Sequence, residues 1–516
     1  MDTTADTTAA AYEDLQYENL AFRATHPDWL GTVGRLFGMD PAPADRCRVL
    51  ELGCGPGGNL VPLAELLPGS EFVGVDLSAS QIARARADAA AVGASNLRFE
   101  ALDIRDVPDW GPFDYVVCHG VFSWVPDDVR RRILTLAGEQ LAPQGIAYVS
   151  YNTLPGWHAR GMLRAILRRV VPEGPPEEMA RAARAFLTIL RTRSPEELPL
   201  GTWLRSELAL LDALSDRYLY FEYLVDENEP LYFDEFLGLA ADAGLQHLGD
   251  ADVASMLPSQ LGEEGERFVD AITRTQLEQE QLLDYLTIRL FRRTLLCRED
   301  VTLEREIDHR VLAGGWIGAD LTCDPAPTDD TLRDGTELVF TDPDGLRITA
   351  DDATSKALLA TLATARPAGV PVDDAVDTVA ARLGRPADAT LADEVTARAM
   401  RILLQGRLDA GRWRRPVTGT VPPRPTTTRL ARHQAAAGQS TVVTARHEHR
   451  SVDALDRVLL AALDGSRDVD ALVAVVRAAD VDGTGTGEDM AALHALVVER
   501  LAALAASGLV LAEDAG

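Results

Sequence analysis

Short apolar runs alternate with amphipathic stretches through the first half of the chain. Val49, Leu50 and Leu52 form a run that enters the glycine-dense turn Gly53 to Gly58, and Leu60 to Leu67 then places apolar residues at helical spacing. Further strands are expected at Phe72 to Asp76, Leu97 to Asp103, Phe113 to His119 and Gly145 to Asn152, with helices at Ser80 to Val92 and Asp127 to Leu141. Short strands separated by helices predict a parallel, doubly wound α/β sheet with ligands at the strand C-termini. Residues 157–225 then read as helical, broken by the proline-rich stretch Val171 to Glu177. A helix over 232–244, a sixth strand at Leu245 to Leu248, helical residues 263–290 and a seventh, antiparallel strand at Arg293 to Arg298 follow. The expectation is a Rossmann-like, seven-stranded α/β domain whose helical inserts cap the site.

The pattern changes after residue 302. Residues 338–348 suggest a hairpin with Asp344-Gly345 at its turn. Two later segments, 355–408 and 452–511, share a helix, helix, long helix and closing-glycine layout, which is winged-helix-like. A Pro/Thr/Arg-rich linker, 412–450, separates them. The expected divisions are 1–156 for the ligand-binding core with an N-terminal lid, 157–302 for the cap and remaining strands, and 303–516 for an α+β C-terminal region.

The turn after the first strand carries the chemistry. Gly53, Gly55 and Gly58 satisfy G-x-G-x-x-G, the dinucleotide fingerprint, so the glycines alone do not name the ligand. Glu51 discriminates, because a carboxylate beside a pyrophosphate is repulsive. It suits a ligand with positive charge, such as the amino group and sulfonium of S-adenosylmethionine (SAM). Asp76 closes the second strand and is placed to accept from both ribose hydroxyls; Asp103 follows the third, where it could take the adenine amino group.

The pattern Glu51-x-Gly53-x-Gly55-x-Gly57 resembles motif I of class I SAM-dependent methyltransferases. Blocks at His119 to Pro126, Tyr151 to His158, Tyr218 to Leu224, Pro230 to Phe236 and Leu290 to Cys297 narrow this further. Together they look like the bacterial methyltransferases bearing a methyltransferase regulatory domain, among them the rickettsial outer-membrane-protein lysine methyltransferases. The resemblance is weaker in the C-terminal region, at Arg429 to Arg432 and Leu459 to Gly465. It implies SAM as cofactor, S-adenosyl-L-homocysteine as product and, with less force, protein-lysine N-methylation. The implied cofactor contacts are Glu51, Gly53, Gly55 and Gly57 near the methionine moiety, Asp76 on the ribose, Leu77 and Gln81 beside the ribose and adenine, and Asn59. Asp103 and Ile104 would read the adenine and His119 would close the pocket. Tyr12 and Tyr17 could fold over it as a lid or serve as half-buried packing. For the acceptor pocket the candidates are His119, Phe122, Trp124, Tyr151, Asn152 and Trp157, with catalytic roles centred on His119, Tyr151, Asn152 and Trp124. A histidine at position 119 more often lines the pocket than acts as a base.

Composition sets outer limits. The 516 residues carry 80 acidic against 50 basic side chains, a formal net charge of −30, which argues against a nucleic-acid partner. The acidity suits a cationic acceptor or simple solubility. The 5 cysteines show no C-x-x-C spacing, so neither a disulfide frame nor a zinc cluster is expected, and the residues suggest no metal. No apolar run reaches the roughly 18 residues of a membrane span and the N-terminus is acidic, so a cytoplasmic protein without signal peptide or membrane partner is expected. Lys356 is the sole lysine, which together with the alanine richness points to a GC-rich genome rather than to mechanism. The partner expected is a methyl acceptor, either a protein or peptide or a small molecule of specialised metabolism; a homodimer is left open. The non-enzymatic alternative is a SAM-binding regulatory or scaffold protein.

Overall fold

Seven strands make the central sheet of the computed structural model, which describes residues 20–193, 199–481 and 490–513. They are β1 (Arg48–Leu52), β2 (Glu71–Asp76), β3 (Leu97–Ala101), β4 (Phe113–Cys118), β5 (Leu141–Asn152), β6 (Leu245–Asp250) and β7 (Phe291–Arg298). Their spatial order is β3-β2-β1-β4-β5-β7-β6. β1 to β5 run parallel, whereas β7 pairs antiparallel with both β5 and β6. The order reverses at β1, flanked by β2 and β4, and this switch point opens a crevice at the strand C-termini. The fifth strand begins at Leu141 rather than Gly145, because the chain pairs with Phe113 before a register shift. The third ends at Ala101, short of Asp103.

Alternation along the strands feeds two cores. Val49, Tyr115, Val117, Ile146 and Tyr148 face the helices Pro27–Leu36, Leu60–Leu66 and Ala79–Val92. Leu50, Val116, Ala147, Val149 and Tyr151 face the helices Asp127–Gln140 and Phe233–Ala241. The insert after β5 has a core of its own, in which Leu163, Leu167, Ala183, Leu187, Leu208 and Leu219 meet. Beneath β7 the fully buried Arg292 donates to Asp284 at 2.8 and 2.9 Å and to Glu280 at 3.0 Å.

The C-terminal region is not a detached appendage. A three-stranded sheet places β8 (Trp316–Gly318) between β11 (Val370–Pro371) and β12 (Asp409–Gly411). The expected hairpin is β9 (Leu338–Thr341) with β10 (Arg347–Ala350). The buried residues of this region (Leu358, Val379, Leu391, Val395) are continuous with the core under the main sheet. Lys356 is fully buried here, and its ammonium donates to the carbonyls of Thr331, Asp334 and Thr336 at 3.0, 2.7 and 3.0 Å. Asp28 at the start of Pro27–Leu36 accepts from the backbone N–H groups of Arg412 and Trp413 at 2.8 and 3.0 Å.

The stretch 412–450, read from composition as a linker, holds the helix Arg429–Ala436 and the hairpin of β13 (Thr441–Val443) and β14 (His449–Ser451). The N-terminus of that helix is capped by Glu65, whose carboxylate accepts from Arg429 N and Leu430 N at 2.5 and 3.1 Å. Three further helices, Ala454–Ala462, Val469–Ala479 and Met490–Ala506, pack around a fourth core centred on Leu459, Leu472 and Val497.

Candidate cofactor and acceptor site

At the C-terminal end of β1 the backbone turns sharply. Gly53, Gly55 and Gly57 have φ values of +74°, +52° and +78°, a region that glycine enters without strain. A Cβ at Gly53 would come within 2.3 Å of Val121, and one at Gly57 within 2.6 Å of Phe99. The turn is fixed by its neighbour strand: Gly53 N and Cys54 N donate to Val75 O at 2.8 and 2.9 Å, and Gly55 N donates to Asp76 Oδ2 at 2.8 Å. Asp76 is partly exposed, and its other oxygen accepts from Ser78 N at 2.9 Å.

Glu51 lies beneath this turn and is buried. Its Oε1 accepts from Asn59 Nδ2 at 3.0 Å, while Oε2 has no hydrogen-bond partner among the described residues. Burial pushes its carboxyl up to about 8, against the pull of the Asn59 hydrogen bond and with the help of nearby Asp76. An orphaned carboxylate oxygen is costly unless a cation or donor arrives. Gln81 is likewise buried with Oε1 unpartnered, beside Gly55. A glycine cradle, an acceptor in want of a cation and a carboxylate at the end of β2 fit SAM at its amino, amide-contacting and ribose positions.

The end of β4 supplies a second wall. His119 Nδ1 lies 2.9 Å from Tyr148 Oη and 3.2 Å from Ser150 Oγ. Its ring lies over Phe22, centroids 3.8 Å apart, and meets Phe291 edge-on at 6.2 Å. Burial and the Arg293 charge bring the imidazole down to about 3, so it is neutral. A group so reluctant to hold a proton is a poor general base near neutral pH.

Comparison with known proteins fits this arrangement. Residues 49–145 match the family described as methyltransferase domain, residues 215–298 that described as predicted methyltransferase regulatory domain, and residues 423–509 that described as PKMT, C-terminal winged helix domain. Protein RP789 of Rickettsia prowazekii (strain Madrid E) is 31% identical over 482 residues, covering 90% of this chain and 85% of the relative. The chain belongs to the class I SAM-dependent methyltransferases that carry this regulatory domain. Protein RP028 of the same organism is 35% identical over 45% of this chain and 94% of its own length. The structure of PKMT2 from Rickettsia typhi superimposes with a TM-score of 0.85 at 26% identity, covering 96% of this chain and 99% of that one; it has also been solved in complex with AdoHcy.

The methyltransferase brings together some of the residues expected from sequence and separates others. Glu51, Gly53, Gly55, Gly57, Asn59, Asp76, Gln81 and His119 gather around the crevice. Leu77 beside them is 46% exposed. Asp103 caps the 3-10 turn Ile104–Asp106, accepting from Arg105 N at 2.9 Å and from its guanidinium at 3.2 Å, and Ile104 is buried. Tyr151 is not at the crevice: it stacks on Phe236 at 4.1 Å, and its hydroxyl pairs with Thr294 at 3.2 Å in the opposite core. Asn152 is buried, with its amide on Asn228 at 3.3 Å, and Phe122 packs on Phe236. Trp124 meets the buried Trp157 edge-on at 6.0 Å. Tyr12 and Tyr17 lie outside the described residues.

Period-two alternation explains the difference on β5. Tyr148 and Ser150 share the face that His119 touches, and Tyr151 must then point the other way. Among the residues missed from sequence, Tyr148 and Ser150 were reachable by that alternation. Phe22 and Phe291 had no local signal, because each arrives from a distant segment.

Proposed function

We propose that this methyltransferase transfers its methyl group to lysine side-chain amines of a protein or peptide. The observation that carries the reading is the pair of aromatic rings set against a neutral His119 at the crevice, the half-buried Phe22 and the part-exposed Phe291. Such rings accept an alkylammonium through cation–π contact and strip water from it. Desolvation, and the Arg293 charge nearby, favour the neutral amine by lowering its pKa. The bound cofactor supplies an electrophilic methyl carbon on a sulfonium. Proximity and alignment then do most of the work, with the proton released to solvent before attack rather than taken by His119. Glu51 would hold the amino group of the cofactor, Asp76 its ribose, and Leu77 and Ile104 would flank the adenine. PKMT in the names of the similar structure and of the winged-helix family reads as protein lysine methyltransferase, which supports the same acceptor.

The experiment is incubation with trideuteromethyl-SAM and a soluble protein extract, followed by peptide mass spectrometry. Trideuteromethyl groups on lysine Nζ are expected. Label confined to the small-molecule fraction would replace this reading with a metabolite acceptor.

A further inference from the structure

Asn59 is held from three sides. Its Oδ1 lies 3.2 Å from Phe22 N, 3.0 Å from Thr25 Oγ1 and 2.7 Å from His447 Nε2. The Phe22 N–H can only donate, so this atom of Asn59 is the oxygen and its amide nitrogen is the one that faces Glu51. His447 must then donate from Nε2, which leaves Nδ1 as an acceptor, buried and without a hydrogen bond among the described residues. His447 sits at the turn between β13 and β14, in the left-handed region at φ 62°, and is 1% exposed. A buried histidine in that conformation, aimed across the molecule from 388 positions away in sequence, is an expensive arrangement for packing alone.

The same turn also braces the segment before Pro27–Leu36. The His449 ring accepts from Ala21 N, and Glu448 lies 3.3 Å from the Arg23 guanidinium. That segment carries Phe22 onto His119. The turn itself is anchored by Arg446, bonded to Asp320 at 2.6 Å.

We infer that His447 of the C-terminal region is a positioning residue for the cofactor: through Asn59 it fixes Glu51 so that one carboxylate oxygen is occupied and the other is presented to the amino group of SAM. This rests on the reading of Glu51 as a cofactor contact. The winged-helix domain thereby becomes part of the cofactor site while touching no cofactor atom.

The charges around the relay bear on its test. Glu51 is faced by Asp76 from β2 and, as weakly acidic thiols, by Cys54 and Cys118. His447 is faced by His449, Arg415 and His26, and burial brings its imidazole down to about 3, so it stays a neutral donor through the working range. The Asn59 hydrogen bond favours ionised Glu51. Loosening Asn59 therefore raises the pH at which the carboxylate forms.

The test is calorimetric titration of the full chain and its variants with SAM and with 5′-methylthioadenosine, which keeps the adenosine but lacks the amino acid end. His447→Ala is expected to weaken SAM about tenfold, the size of one lost buried hydrogen bond. It should leave 5′-methylthioadenosine affinity unchanged and move the alkaline midpoint of SAM binding upward. His447→Gln, which keeps a donor of similar reach, should restore both. Equal weakening of the two ligands by His447→Ala, or unchanged SAM affinity when Glu51→Gln has weakened it, would overturn the inference. Unchanged SAM affinity in Glu51→Gln itself would overturn the reading of Glu51, and the relay with it.

Discussion

Glu51 is a carboxyl that the fold keeps protonated until a cation comes. Its value rises from an ordinary 4.5 to about 8. The neutral form is therefore favoured by folding: the stabilisation it confers is full below about pH 4.5 and is lost as pH rises through about 8. Glu51→Gln should accordingly raise the thermal midpoint at pH 8 to 9 while SAM binding collapses, a trade-off that scanning calorimetry and ligand titration would show together. In the native protein SAM affinity should increase with pH up to about 8, where the carboxylate forms. The two tyrosines of β5 make a paired prediction. Tyr148→Phe removes the hydroxyl on His119 and should lower kcat/KM several-fold with little loss of stability. Tyr151→Phe leaves Thr294 without that partner and should lower stability by about 1 kcal/mol with turnover intact. Equal kinetic damage from both would refute the assignment of faces.

At the scale of elements, Glu65, the Arg429 bond to the Val92 carbonyl at 3.0 Å and the His433–Asp88 pair join the helix Arg429–Ala436 to the sheet domain. Thr428 caps that helix by accepting from Ala431 N, and Glu65 adds the negative charge that its own first turn lacks. Glu65→Ala should cost about 1–2 kcal/mol, and hydrogen exchange in residues 429–436 should speed up before any change in β1 to β5. Which elements form was largely legible in the chain. The short Val/Leu/Phe runs, the turn glycines and the helical spacing of Ile82, Ala85 and Ala89 each follow from local chemistry, and an antiparallel seventh strand was expected at Arg293 to Arg298, after the helical residues 263–290. What the helices and loops do to one another was not. Asn59 was expected at the cofactor site, and its bonds to Glu51 on one side and His447 on the other had no signal in the sequence. Asp103 was expected at the adenine, and its bonds to Arg105 two residues on had no signal in the sequence. The stretch 412–450 looked like a linker because proline, threonine and arginine dominate it, yet Val417, Leu430, Val442 and Val443 within it are buried.

Across the whole molecule, one apolar core runs from Leu30 and Val33 through the sheet to Leu358, Val379 and Leu403. Elements that share a core unfold together, so the sheet domain and residues 316–411 should melt in a single transition. SAM at a hundred times its Kd should stabilise that unit by about 2.7 kcal/mol, and a SAM-dependent shift of only part of a two-step melt would contradict it.

Lys356 gives the molecule a practical property. The only lysine in 516 residues is sealed inside, its ammonium held by three carbonyls. Folded enzyme therefore offers no lysine target to itself or to a second copy. In a purified reaction it acts as its own blank: any methyl-lysine recovered belongs to the added protein, and amine-reactive tags will mark the substrate's side chains while sparing those of the catalyst.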